Sequence, residues 1–198
     1  MRTVAFLHQK GGTGKTTLAI GTAMALAETG ARVLLLDADV QGTASEWGGR
    51  WGERWKVVTR SQMQPIIHEQ AARFEHTFEW MIVDGPPTLS EMTSSILRAA
   101  DGVVVPVRPS LPDVWALDSL AALLGQVTAE KREIPIMVVW NQVVEPPTEA
   151  MTVHIKTLQL SVSPRMISRD SAWMHLMEGT AVPRVAVEYL RTLAAGGS

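Results

Sequence analysis

Short apolar runs alternate along this chain with longer amphipathic or small-residue stretches. The runs at residues 4–7, 33–36, 80–83, 103–107 and 136–140 are continuous, with no polar residue at every second position. Strands covered on both faces read this way, whereas a half-exposed strand alternates. Between them, residues 16–29, 63–74, 89–99, 113–127 and 148–158 carry the character of helices, and Gly30 stands where a left-handed residue closes a helix before the second strand. This alternation predicts an α/β fold: a doubly wound, mostly parallel sheet with helices on both faces and right-handed crossovers. After residue 161 the pattern is less regular, a short extended piece and then helices near 170–177 and 183–193. There is no repeat, low-complexity segment or linker, so a single domain over residues 1–198 is expected, with residues 194–198 frayed.

Composition narrows the classes. In 198 residues, 46% are hydrophobic and 19% charged, the proportions of a packed globule. No apolar run approaches the roughly 18 residues of a membrane span, and the apolar start at 4–7 is too short for a signal peptide. The absence of cysteine excludes disulfides, thiolate metal sites and cysteine nucleophiles, and a cytoplasmic location is expected. A formal net charge of −2 argues against a globally basic nucleic-acid binder, so any DNA contact has to come from a local patch.

The first run leads into Lys10-Gly11-Gly12-Thr13-Gly14-Lys15-Thr16-Thr17. A glycine-rich turn between a buried strand and a helix is the context of a phosphate loop. Glycines let backbone N–H groups converge on phosphate oxygens, and a helix N-terminus adds about half a positive charge. Lys15 is expected to reach the β- and γ-phosphates and the Thr16 hydroxyl to ligate Mg²⁺. The general pattern G-x-x-x-x-G-K-S/T asks for glycine at position 9, where this chain has Gln9, followed by a second lysine at position 10. Two further strands end in acids: Asp37-Ala38-Asp39-Val40-Gln41-Gly42, and Asp84-Gly85-Pro86-Pro87, the latter a Walker B pattern in which Asp84 holds Mg²⁺ through water.

Together these motifs resemble the ParA/MinD family of deviant phosphate-loop ATPases, and the resemblance covers essentially the whole chain. It implies ATP and Mg²⁺ as cofactors. It makes Lys10 the signature lysine that reaches the partner's nucleotide across an ATP-bound homodimer, acting catalytically with Lys15 and Asp39. Asp39 matches the residue that helps orient the attacking water, and Asp37 the acid near the metal, with Thr16 and Asp84. Val40 replaces the family's proline, which should loosen the switch backbone. Pro109, in Val105-Pro106-Val107-Arg108-Pro109-Ser110, and Asn141 match positions near the adenine base.

Several branches of the family are set aside by the residues present. Nitrogenase iron-protein and anion-pump relatives depend on cysteines. MinD-type proteins end in a basic amphipathic helix, whereas Tyr189-Leu190-Arg191-Thr192-Leu193-Ala194 has one basic residue, so no stable membrane anchor is expected. Longer ParA proteins carry an N-terminal helix-turn-helix that this chain is not expected to have. What remains resembles the small ParF-like partition ATPases, also in the stretch Pro109-Ser110-Leu111-Pro112-Asp113. Such proteins bind nucleoid DNA non-specifically as ATP dimers, position a plasmid, chromosome region or protein organelle, and are stimulated by a small adaptor or ParB-like protein. Arg165 and Arg169 match the family's basic DNA-contacting region; residues 151–198 hold five Lys/Arg (Lys156, Arg165, Arg169, Arg184, Arg191) against three acids (Asp170, Glu178, Glu188). The alternatives are a MinD-like regulator at a membrane and a metabolic enzyme of the dethiobiotin-synthetase type.

Two features stand outside these motifs. Trp47, Trp51 and Trp55 recur every fourth residue, as on one helix face, although Gly48, Gly49 and Gly52 weaken a helix there. Core or dimer packing is the plainer reading of that stripe, a partner surface the other. The histidines show no metal-ligand spacing, and His8 reads as a packed or hydrogen-bonded side chain.

Overall fold

The computed structural model describes residues 1–130 and 133–195. In chain order the elements are β1 (Arg2–Phe6), α1 (Lys15–Ala27), β2 (Val33–Asp37), α2 (Thr43–Trp55), β3 (Val57–Ser61), α3 (Ile67–Gln70) running into a 3-10 turn (Ala71–Phe74), β4 (Trp80–Asp84), α4 (Glu91–Ala99) and β5 (Gly102–Val107). Then follow α5 (Leu111–Trp115), α6 (Leu117–Glu130), β6 (Ile136–Trp140), α7 (Glu149–Thr157), β7 (Ser161–Val162), α8 (Ala172–Met177) and α9 (Arg184–Ala195). Seven strands pair in the order β3-β2-β4-β1-β5-β6-β7, every pairing parallel.

Alternate residues of each buried strand feed two separate cores, as the two-residue period of a strand requires. Val4, Phe6, Val33, Leu35 and Ile82 pack toward α1, α2, α8 and α9. Ala5, Leu7, Leu34, Leu36, Met81 and Val83 pack toward α3 through α7. A sheet apolar on both faces explains why the five inner runs lack polar alternation.

Three elements differ from the sequence expectation. Residues 63–74 yield only α3 and the 3-10 turn, and 113–127 break at Ala116 into α5 and α6. The glycines of the tryptophan stripe do not prevent a helix: α2 forms, and β3 follows it. A Cβ on Gly48 would lie 2.2 Å from the Thr59 hydroxyl, and one on Gly52 2.8 Å from the Val57 carbonyl. The glycines therefore let the helix lie against the edge strand, and tertiary packing outweighs their low propensity. The stripe faces inward. Trp47 Nε1 donates to the Leu176 carbonyl (3.1 Å) and Trp55 Nε1 to the Gly179 carbonyl (2.9 Å), tying α2 to the region of α8. Gly30 adopts the left-handed conformation (φ 88°) expected after α1. Of the tail expected to fray, residues 194 and 195 end α9 and residues 196–198 lie outside the described residues. No helix among the described residues is long and apolar enough to cross a membrane.

Candidate functional site

β1 lies between β4 and β5, so the chain leaves its C-terminal end at the point where successive connections go to opposite sides. Crevices in open α/β sheets form there. The loop that follows has Gly12 (φ 74°) and Gly14 (φ 98°) in left-handed conformations. Gly14 also has no room for a side chain, since a Cβ would lie 2.2 Å from Asn141 Nδ2. Carbonyls of the loop are held by side chains. Lys15 Nζ donates to the Lys10 carbonyl (3.2 Å), Gln142 Nε2 to that of Gly12 (2.8 Å) and Asn141 Nδ2 to that of Thr13 (2.7 Å). Gly14 caps α1 without a side-chain hydrogen bond, leaving first-turn N–H groups for an anion.

Two charged groups are buried beside this loop. Lys15 is 6% exposed, and burial pulls its pKa below the ordinary lysine range against the opposing pull of Asp84 and Asp39. Asp84, 1% exposed, is pushed up to about 7. Burial is the main cause, the Asp37 and Asp39 carboxylates add to it, and the neighbouring Thr16 hydroxyl and Lys15 ammonium oppose it. Neither Asp84 oxygen has a hydrogen-bond partner. A buried carboxylate left so is costly unless a cation or donor reaches it, so Thr16 and Asp84 suit a hard divalent ion.

Asp37 lies level with Asp84 in the β2–β4 register. Its oxygens accept from the backbone N–H groups of Asp39 (3.1 Å) and Ser45 (2.7 Å), so this acid also shapes the loop into α2. Asp39 is half-buried and accepts from the Gln41 N–H (3.0 Å), while Val40 is 80% exposed. The Lys10 ammonium makes no hydrogen bond or ion pair among the described residues.

The other expected residues are divided between two flanks. Asn141 lines a cavity of 150 Å³ with Thr17, Leu18, Arg169 and Trp173, although its amide donor is spent on Thr13. Pro109 lines a separate groove with Arg108, Gln142 and Val144. Arg165 and Arg169 are both exposed between β7 and α8. The Arg165 guanidinium stands 5.8 Å from the Tyr189 ring, whereas Arg169 borders the cavity next to Thr17.

Sequence reasoning missed the bracing of the loop. Gln142, a non-glycine residue at positive φ (56°), and the ion pair of half-exposed Arg108 with buried Asp113 (2.6 and 3.0 Å) were given no role from the sequence. Burial alone would raise the Asp113 pKa, but Arg108 holds it below the usual carboxylate range. The signal available was the acid in Pro109-Ser110-Leu111-Pro112-Asp113, a helix start that ends up 1% exposed.

Similarity to known proteins follows the same features. The family described as "CobQ/CobB/MinD/ParA nucleotide binding domain" matches residues 4–178. "Maintenance of carboxysome distribution protein A" of Halothiobacillus neapolitanus is 30% identical over 190 residues, 91% of this chain and 86% of that protein. "Chromosome-partitioning ATPase Soj" of Thermus thermophilus is 33% identical over 154 residues, so the match spans 63% of this chain and 61% of that one. The fold matches apo McdA from Cyanothece with a TM-score of 0.76 at 16% identity, covering 99% of this chain and 97% of that one, and a single-substitution variant of that protein has been solved as an ATP complex.

Proposed function

Because the chain belongs to the CobQ/CobB/MinD/ParA nucleotide-binding family, as a ParA/MinD-type phosphate-loop ATPase, we propose that it is an ATP-switched dimer. In this reading, residues 1–198 form one domain that binds nucleoid DNA without sequence preference and positions a cargo such as a plasmid, chromosome region or protein organelle. The observation that carries it is the burial of Lys15, in the loop after β1, near the buried Asp84 carboxylate whose oxygens accept no hydrogen bond, while the loop's other lysine is unengaged among the described residues.

Mg²⁺–ATP supplies the scissile phosphoanhydride and a counter-charge for the phosphate oxygens. The chain does the rest. Gly11 to Thr17 would offer backbone N–H groups, Lys15 would meet the β/γ-phosphates, Thr16 and Asp84 would hold the metal with Asp37 near it, and Asp39 would orient water. Among the described residues no three or more His, Cys, Asp or Glu gather to hold a metal. Mg²⁺ takes few carboxylates and leans on substrate phosphates. Asn141 and Pro109 border the path of the base, and Lys10 serves the partner's nucleotide. Arg165 and Arg169 supply phosphate contacts to DNA, and a ParB-like or small adaptor protein completes activation.

Light scattering tests the reading. Wild-type protein is expected to double in mass with a non-hydrolysable ATP analogue, and Lys10→Ala to remain monomeric while still binding ADP. Equal dimerisation of the two would remove Lys10 from the partner's site.

A further inference from the structure

Beyond the loop's own residues, we propose that His8 is a positioning residue for Lys10, its imidazole Nδ1 fixing the direction in which the lysine leaves the loop. The inference rests on the dimer reading of Lys10. His8 follows the last strand residues of β1 and is 2% exposed. Its Nδ1 accepts the Lys10 backbone N–H at 3.0 Å. A ring nitrogen that accepts carries no proton, so the proton lies on Nε2, which stands 3.3 Å from the Asp113 carbonyl. Each nitrogen thereby has a defined partner.

The Lys10 residue is held at both of its backbone groups: the N–H by His8 and the carbonyl by Lys15 Nζ. Only its side chain is unengaged. The support behind His8 is stiff, because Asp113 is clamped by two hydrogen bonds from Arg108 and Gln9 Nε2 donates to the Ala116 carbonyl at 2.6 Å. Residues 8–10 are therefore laced to α5 rather than left as a free turn. Burial keeps the ring neutral, with its pKa lowered to about 4, so the acceptor persists at neutral pH. A flexible lysine that has to span a dimer interface pays less ordering entropy when its backbone is already fixed.

Side-chain chemistry separates this role from simple packing. Asn places an amide oxygen near the position of Nδ1, whereas Gln places its polar group near that of Nε2. Leu fills the volume with no acceptor. The experiment compares His8→Leu, His8→Asn, His8→Gln and Lys10→Ala by light scattering with a non-hydrolysable ATP analogue, by ADP calorimetry, and by circular dichroism. His8→Leu is expected to weaken ATP-dependent dimerisation by about tenfold, the scale of one lost hydrogen bond, with ADP affinity unchanged. His8→Asn is expected to restore it and His8→Gln not. In a Lys10→Ala background His8→Leu should add nothing. If Lys10→Ala dimerises normally, the dimer reading falls. If Lys10→Ala fails but His8→Leu dimerises as wild type, or Asn and Gln behave alike, the positioning role falls. Should His8→Leu not fold, the Asn-against-Gln comparison decides by the same criterion.

Discussion

Asp84 and His8 are both buried ionisable groups, and burial drives each toward its neutral form, one pKa upward and the other downward. For His8 the consequence is a signed dependence of stability on pH. As pH falls from about 6.5 to about 4, the unfolded chain takes up a proton that the folded chain refuses, so stability is lost across that window and is fully present above it. The interval corresponds to roughly 3 kcal/mol at most. Urea titrations between pH 4 and pH 7 should show that share of the acid limb disappear in His8→Leu; an unchanged limb would mean that other groups cause it. Lys15 carries a separate expectation. Replacing it by alanine removes the ammonium that offsets phosphate charge, so calorimetry should find ATP affinity reduced by at least about a hundredfold in a folded protein, a loss of some 3 kcal/mol typical of a charged contact. Wild-type affinity in Lys15→Ala would overturn the phosphate-loop assignment. These residues were legible because spacing marks them: Lys15 and Thr16 directly follow Gly14, and Asp84 ends an apolar run. Gln142 and Asp113 were not, since what they brace lies far away in the chain: Gln142 reaches back to Gly12, and Asp113, held locally by Arg108, accepts from His8 through its carbonyl.

At the scale of elements, legibility followed burial. β1, β2, β4, β5 and β6 are covered on both faces and announce themselves as continuous apolar runs. β3 is an edge strand in which only Val57 is buried, while Val58, Arg60 and Ser61 are exposed, so it has no apolar run to read. α2 was obscured by glycines whose purpose is visible only against β3. The docking of α2 gives a test of its own. Gly179 has φ 69°, and a Cβ there would come within 2.3 Å of the Trp51 indole. Gly179→Ala should therefore combine left-handed strain with overpacking, a cost of about 3 kcal/mol. Thermal unfolding should fall by about 10 °C for a chain of this size, with nucleotide affinity little changed. No shift in the melting temperature would show that the contact of α2 with the residues after α8 yields freely.

Across the whole molecule, the strand order brings residues from five strand ends to one edge: the phosphate loop after β1, Asp37, Asp84, Arg108 after β5 and Asn141 after β6. An all-parallel sheet forces this convergence, because every strand points its C-terminal end the same way. The DNA-facing reading belongs to this scale too. With a net charge of −2, one copy has little general attraction for DNA, whereas a dimer carries two copies of Arg165 and Arg169 along one duplex. Phosphate contacts release counterions, so binding should weaken steeply with salt and depend little on sequence. The most direct test is retention on a non-specific DNA duplex, measured for wild type and for the Arg165→Glu/Arg169→Glu pair with a non-hydrolysable ATP analogue, with ADP and without nucleotide. The account predicts retention only for wild type with the analogue, and a double variant that still dimerises but passes through. Equal retention of wild type under all three conditions would contradict a nucleotide switch, and undiminished retention of the double variant would contradict the assigned surface.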